Sequence, residues 1–107
     1  MALLDFTPMP LTERQKRYLR GLGHQLKPVV MIGDAGLSAS VLEEYETTLL
    51  HHELIKVRVK VGGRDERDRL IKELCLKGNA DLIQRIGNIA LLYRSNPDKK
   101  KKILLPA

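Results

Sequence analysis

The 107-residue sequence predicts a single α/β (α+β) domain in the order α-β-α-β-α-β-β, with a mixed four-stranded sheet and helices packed against it. Three observations carry that expectation. Segments of helical period alternate with short β-branched runs, which implies crossover connections between strands. Residues 54–61 set Ile55, Val57, Val59 and Val61 against Lys56, Arg58 and Lys60, the period of a strand with one apolar and one cationic face. Gly87-Asn88 lies between two apolar runs, a two-residue hairpin signal that pairs the last strands antiparallel.

Taken in order, residues 1–10 hold Asp5, Pro8 and Pro10 and read as a flexible leader. The first helix opens at Thr12, because Thr12 and Gln15 fit a capping box. At 100° per residue Leu11, Gln15, Tyr18, Leu19 and Leu22 share one arc, while Arg14, Lys16, Arg17 and Arg20 share the other. Gly21 and Gly23 weaken its end, which is expected near His24. Lys27-Pro28 then leads into Val29, Val30, Met31 and Ile32, an apolar run suited to a buried strand.

Gly33, Asp34, Ala35 and Gly36 follow at once, and a second helix begins after Leu37. Ser38 or Ser40 can cap it, and Ser40 with Glu43 makes a Ser-x-x-Glu pattern. Val41, Leu42, Tyr45, Thr48 and Leu49 supply its inner face; Glu43, Glu44 and Glu46 make its outside acidic. A third helix over 65–77 buries Leu70, Ile71, Leu74 and Cys75 and stops at Gly78-Asn79. Strands over 80–86 and 89–94 complete the domain, which is assigned to 11–96. Residues 97–107 carry Lys99, Lys100, Lys101 and Lys102 and read as a mobile, solvated basic tail.

Nineteen Lys and Arg against 13 Asp and Glu leave a net charge of +6, which favours polyanion partners through counterion release. Four aromatics and no Trp argue against base stacking on an aromatic sheet. One cysteine excludes an internal disulfide and suits a reducing compartment. No run is long enough to cross a membrane and the start lacks a signal-peptide pattern, so a cytoplasmic protein is expected. No Ser-His-Asp set, paired carboxylates or H-E-x-x-H motif occurs. His51-His52-Glu53 reads as a helix end, since adjacent histidines point apart, and Cys75 has core spacing. The expectation is a non-enzyme with no cofactor, no metal and no small-molecule substrate.

The sharpest local feature is the G-x-x-G turn of Gly33, Asp34, Ala35 and Gly36 between a strand and a helix start, where free N–H groups and the helix dipole favour phosphate oxygens. Arg14, Lys16, Arg17 and Arg20 face only Glu13 on their helix, so they are not a balanced ion-pair set. Lys56, Arg58 and Lys60 extend this patch if their sheet face is open.

Three stretches together resemble a known family: residues 19–30 (LRGLGHQLKPVV), 32–37 (IGDAGL) and 52–57 (HELIKV) are similar to the CRM domain (chloroplast RNA splicing and ribosome maturation) in its stand-alone bacterial, YhbY-like form. The resemblance spans about residues 11–95. It implies a fold like the C-terminal domain of translation initiation factor three, and RNA binding through Gly33, Asp34, Ala35 and Gly36 with Arg14, Arg17, Arg20 and Lys27 beside them. For the bacterial form it implies association with precursors of the large ribosomal subunit during assembly; the partners expected are ribosomal RNA, that precursor and, further, ribosomal proteins. Alternatives are an intron or other structured RNA, duplex DNA, or a protein-interaction role in which the acidic helix docks a basic ribosomal protein. The mechanism expects the glycine-bracketed turn and the cationic helix to converge on one side of the molecule.

Overall fold

The computed structural model describes residues 10–107; the expected leader lies outside the described residues apart from Pro10. Helix α1 (Glu13–Gly23) starts as its sequence dictates. Thr12 Oγ1 accepts from the Gln15 amide at 3.1 Å and Gln15 Oε1 accepts from the Thr12 amide at 3.0 Å. Strand β1 (Pro28–Ile32) leads to α2 (Ala39–His52), which is capped by Ser38 through the Val41 amide and not by Ser40. Then come β2 (Leu54–Val59), α3 (Arg64–Gly78), β3 (Asp81–Ile86) and β4 (Ile89–Tyr93). Asn79 closes α3 in the left-handed region at φ 51°, as the Gly78-Asn79 stop predicts.

The sheet order is β1-β2-β4-β3, with β1 parallel to β2 and the other two pairings antiparallel. Helix α3 therefore carries the chain from β2 past the future place of β4 to the far edge, and the hairpin fills the gap. This is the mixed sheet that the element order predicts.

Both faces are covered, unequally. Helices α2 and α3 bury Tyr45, Leu49, Leu70, Ile71 and Leu74 against Val30, Ile32, Ile55, Val57, Val59, Ala90 and Leu92. On the opposite face α1 covers only part of the sheet, setting Leu19 over Leu54, Ile83, Leu91 and Tyr93. The apolar arc read from the sequence is turned: Tyr18 and Leu22 are exposed, and the row that faces the sheet is Leu19 and Gly23. The cause is a close approach. A Cβ at Gly23 would lie 2.6 Å from Leu91 Cδ2, so the glycine lets the backbone settle onto β4 and rolls its neighbours Tyr18 and Leu22 outward. Strand β1 departs from expectation for a related reason. Beyond the reach of α1 its outer residues have no cover, so Val29 and Met31 are exposed and the strand is half-buried.

Residues 97–107, expected to trail as a solvated tail, lie back on the domain. Glu53 is 1% exposed, and its two carboxylate oxygens accept from the amides of Asn96 at 2.8 Å and Ile103 at 2.7 Å. Ile103 and Leu105 join the smaller core, and Gln15 Nε2 donates to the Pro106 carbonyl at 3.0 Å. Lysines dominate the segment in sequence, and the apolar anchors beyond them, Ile103 and Leu105, are few.

Two expectations follow. Gly23→Val is expected to cost about 1–3 kcal/mol by overpacking against Leu91, whereas Gly21→Ala, with open space around it, should stabilise by about 0.5–1 kcal/mol; urea unfolding of both variants compares them. Glu53→Ala leaves two inward-facing amides without acceptors and should cost about 2–5 kcal/mol, measured in the same way and accompanied by lost hydrogen-exchange protection at the Ile103 amide.

Candidate nucleic-acid interface

The turn of Gly33, Asp34, Ala35 and Gly36 begins where β1 ends. Its amide-to-carbonyl bond from Gly36 to Gly33 is 2.9 Å, and Gly36 has φ +74°, a left-handed conformation that only glycine takes without strain. Gly33 has no such demand and open space around it. The first three residues of the turn are exposed and the fourth half-buried. Among the described residues, no protein acceptor takes the amides of Asp34, Ala35 or Leu37. These N–H groups, with the start of α2 two residues on, form a small donor-rich rim. Asp34 puts one carboxylate into it.

The side chain nearest this rim in the cation row is Lys60. Met31, Gly33, Asp34, Lys60, Val61 and Gly62 line one shallow open cavity, and the Lys60 amide donates to the Ile32 carbonyl at 2.8 Å. The α1 arginines are not part of this cavity. Helix α1 sits over the start of β2, where Leu54 pairs with Tyr93 and Lys56 with Leu91, while the turn follows the far row, where Ile32 pairs with Val59. At about 3.3 Å per residue the two sites are separated by roughly the length of β1, on the order of 15 Å. The turn and the cationic helix thus do not adjoin. Lys27 stands with the helix end, lining a second cavity with His52, Leu54 and Lys56.

What joins the two ends is the outward face of β2. Leu54, Lys56, Arg58 and Lys60 follow one another on the α1 side of the sheet; Lys56 is half-buried beside the helix and Arg58 and Lys60 are exposed. The half of this face that α1 leaves uncovered also presents Met31, at 60% exposure, and Ile86, at 67%. Lys56 shares a groove there with Gln84, Ile86, Ile89 and Leu91. The open or covered state of this face was undecidable from alternation alone, and α1's partial coverage decides it.

Ion pairs gather on the α2 and α3 side, although Arg64, Lys72 and Lys77 of α3 have none among the described residues. Arg67, Arg69, Arg85 and Arg94 are engaged by carboxylates of α2 and α3, the closest being Arg69 with Glu66 and Arg94 with Glu46, each at 2.7 Å. On α1 Lys16 reaches Glu13 only at 3.9 Å. Among the described residues Arg14, Arg17, Arg20, Lys27, Lys56, Arg58 and Lys60 form no ion pair. Arg14 and Arg17 are exposed, whereas Lys16 and Arg20 are half-buried. Glu43 and Glu44 stand exposed on α2, across the sheet from the cations.

His51 sits at a helix end, and Tyr45 and Cys75 pack in the larger core. His51 Nδ1 bonds the Thr47 carbonyl at 2.9 Å at the end of α2. Burial pushes the Cys75 thiol up, helped by the nearby Asp81, which lowers its reactivity. Tyr45 donates to the Leu74 carbonyl at 2.9 Å and its phenol is likewise pushed up by burial. No group of three metal-ligating side chains occurs among the described residues, nor a helix long and apolar enough to cross a membrane.

Comparison with known proteins identifies the family. Residues 11–94 match the CRS1 / YhbY (CRM) domain. A Pseudomonas aeruginosa protein named a probable RNA-binding protein is 45% identical over 95 residues, covering 89% of this chain and 91% of its own. A Haemophilus influenzae protein named an RNA-binding protein is 45% identical over 96 residues, covering 90% and 95%. The solution structure of a hypothetical protein from Staphylococcus aureus superposes with a TM-score of 0.76 at 36% identity, covering 91% of this chain and all of the other.

The turn itself yields a test of its geometry. Gly36→Ala should cost about 1–2 kcal/mol, because alanine must enter the left-handed region, while Gly33→Ala should fall within about 0.5 kcal/mol of the parent; paired thermal melts distinguish them.

Proposed function

The chain belongs to the CRS1 / YhbY (CRM) domain family, and from that premise we propose that it binds structured RNA along the α1 side of its sheet. The single observation that carries the reading is the unpaired cation row Lys56, Arg58 and Lys60, which leads from the arginine-bearing helix to the glycine turn on a face left open by α1. RNA-binding relatives of 45% identity support it.

In this mechanism the amides of Asp34 and Ala35 and the start of α2 receive phosphate oxygens at one end. Arg14, Arg17 and Arg20, with Lys16 and Lys27, receive them at the other, and Lys56, Arg58 and Lys60 span the interval. Because the turn and the helix stand apart, one phosphate cannot touch both; the bound RNA runs along β2. Backbone contacts of this kind position the ligand and carry little sequence information, so selectivity comes from RNA shape. The target proposed within this class is ribosomal RNA of large-subunit precursors, in the cytoplasm, with assistance to ribosome assembly as the outcome. Binding of this kind needs no bond-making chemistry.

Arg14→Glu with Arg17→Glu, and separately Lys60→Glu, alter exposed side chains and should leave the melting temperature nearly unchanged. The double variant should weaken binding to ribosomal RNA fragments about tenfold or more and reduce the slope of log affinity against log salt by about 2. Lys60→Glu should weaken binding too. Unaltered affinities in fluorescence anisotropy titrations would sink the proposed surface, and loss of sedimentation with large-subunit precursors in the double variant checks the target.

A further inference from the structure

The run of four lysines is not uniform. Lys99 Nζ donates to the Lys101 carbonyl at 2.8 Å and Lys102 Nζ to the Pro97 carbonyl at 3.3 Å, so two of them stitch the segment into a loop. The Lys99 amide donates to the Asn96 carbonyl at 3.1 Å and the Asp98 amide to Asn96 Oδ1, also at 3.1 Å, tightening its base. Asn96 Nδ2 in turn holds the Leu50 carbonyl at 2.9 Å. Both ends of the loop are fastened to one side chain, since Glu53 accepts from Asn96 before it and from Ile103 after it. Lys100 and Lys101 remain exposed at its tip, with no ion pair among the described residues.

The position of this loop gives it a use. Glu53 immediately precedes Leu54, the residue of β2 that underlies α1, and Ile103 and Leu105 pack on the α1 side of the sheet. Lys27 and Lys56 line the cavity beside His52 and Leu54 at the same end of the strand. Residues 95–107 also lie beyond the stretch that matches the family.

We infer that residues 97–102 form a built phosphate-contacting loop, in which Glu53 holds Lys100 and Lys101 in place to receive RNA backbone at the end of β2 opposite the glycine turn. The inference rests on the RNA-binding reading and adds to it a second fixed anchor. Preorganisation is the physical content: lysines on a free tail lose chain entropy when they bind, and lysines on a clamped loop have already lost it.

The test uses the full chain and a ribosomal RNA fragment that the parent binds. Lys100→Gln with Lys101→Gln spares the stitching lysines and should weaken binding about fivefold or more, with a salt slope reduced by about 2. Ile103→Ser keeps every lysine and should free the loop, seen as lost hydrogen-exchange protection at the Asn96 and Ile103 amides, with a drop in affinity although the charge is unchanged. Parental affinity and slope in the double variant overturn the contact. Parental affinity with the loop freed overturns the preorganisation. If Arg14→Glu with Arg17→Glu abolishes binding while the loop variants do not, only this inference fails; a parent chain that binds no RNA removes both.

Discussion

The arrangement depends on a buried glutamate at the junction of α2 and β2. Glu53 adopts φ 63°, a strained value for a side-chain-bearing residue, costing on the order of 1–3 kcal/mol. Its own amide caps α2 by donating to the Leu49 carbonyl at 2.9 Å, and its carbonyl receives the Arg94 amide at 2.8 Å. Its carboxylate receives two more backbone amides, so one residue ends a helix, begins the central strand, fixes the exit of β4 and holds the returning C-terminal segment. Such hydrogen bonds to a buried carboxylate are the compensation its burial requires. The strain is tolerated because the connections over-determine it.

From this junction the distribution of charge follows. The chain that returns from Glu53 brings Ile103 and Leu105 under α1, which together with Leu19 makes a core smaller than the one beneath α2 and α3. A small core covers little of the sheet. The uncovered remainder exposes the cationic side of β2, while the acidic outer residues of α2 stand on the opposite side of the molecule. The exposure of the β2 cations is therefore a consequence of unequal coverage, while carboxylates engage Arg67 and Arg69 of α3, Arg85 of β3 and Arg94 after β4 and leave the arginines of α1 alone.

Elements governed by neighbours in sequence were legible. The Thr12–Gln15 box, the alternation of β2, the stop at Asn79 and the Gly87-Asn88 hairpin each rest on hydrogen bonds or side-chain directions fixed within a few residues. The candidate residues were legible as types, though not as a constellation. Lys60 came forward as the cation beside the glycine turn only when the register of β1 on β2 was known. Lys16 and Arg20 lost exposure, and Tyr18 and Leu22 gained it, because Gly23 lets α1 sit close to Leu91. Periodicity names an apolar arc but not the angle at which a neighbour receives it.

By itself the sequence determined the order of the elements, the strand alternation, the family resemblance and the surplus of positive charge, all properties of local spacing and composition. Tertiary structure decided which face α1 covers, that the glycine turn and the arginines stand at opposite ends of β2, and that the lysine segment is clamped by Glu53. Those outcomes turn on contacts between residues far apart in the chain, such as Gly23 with Leu91 and Glu53 with Ile103, whose geometry exists only once the sheet has formed.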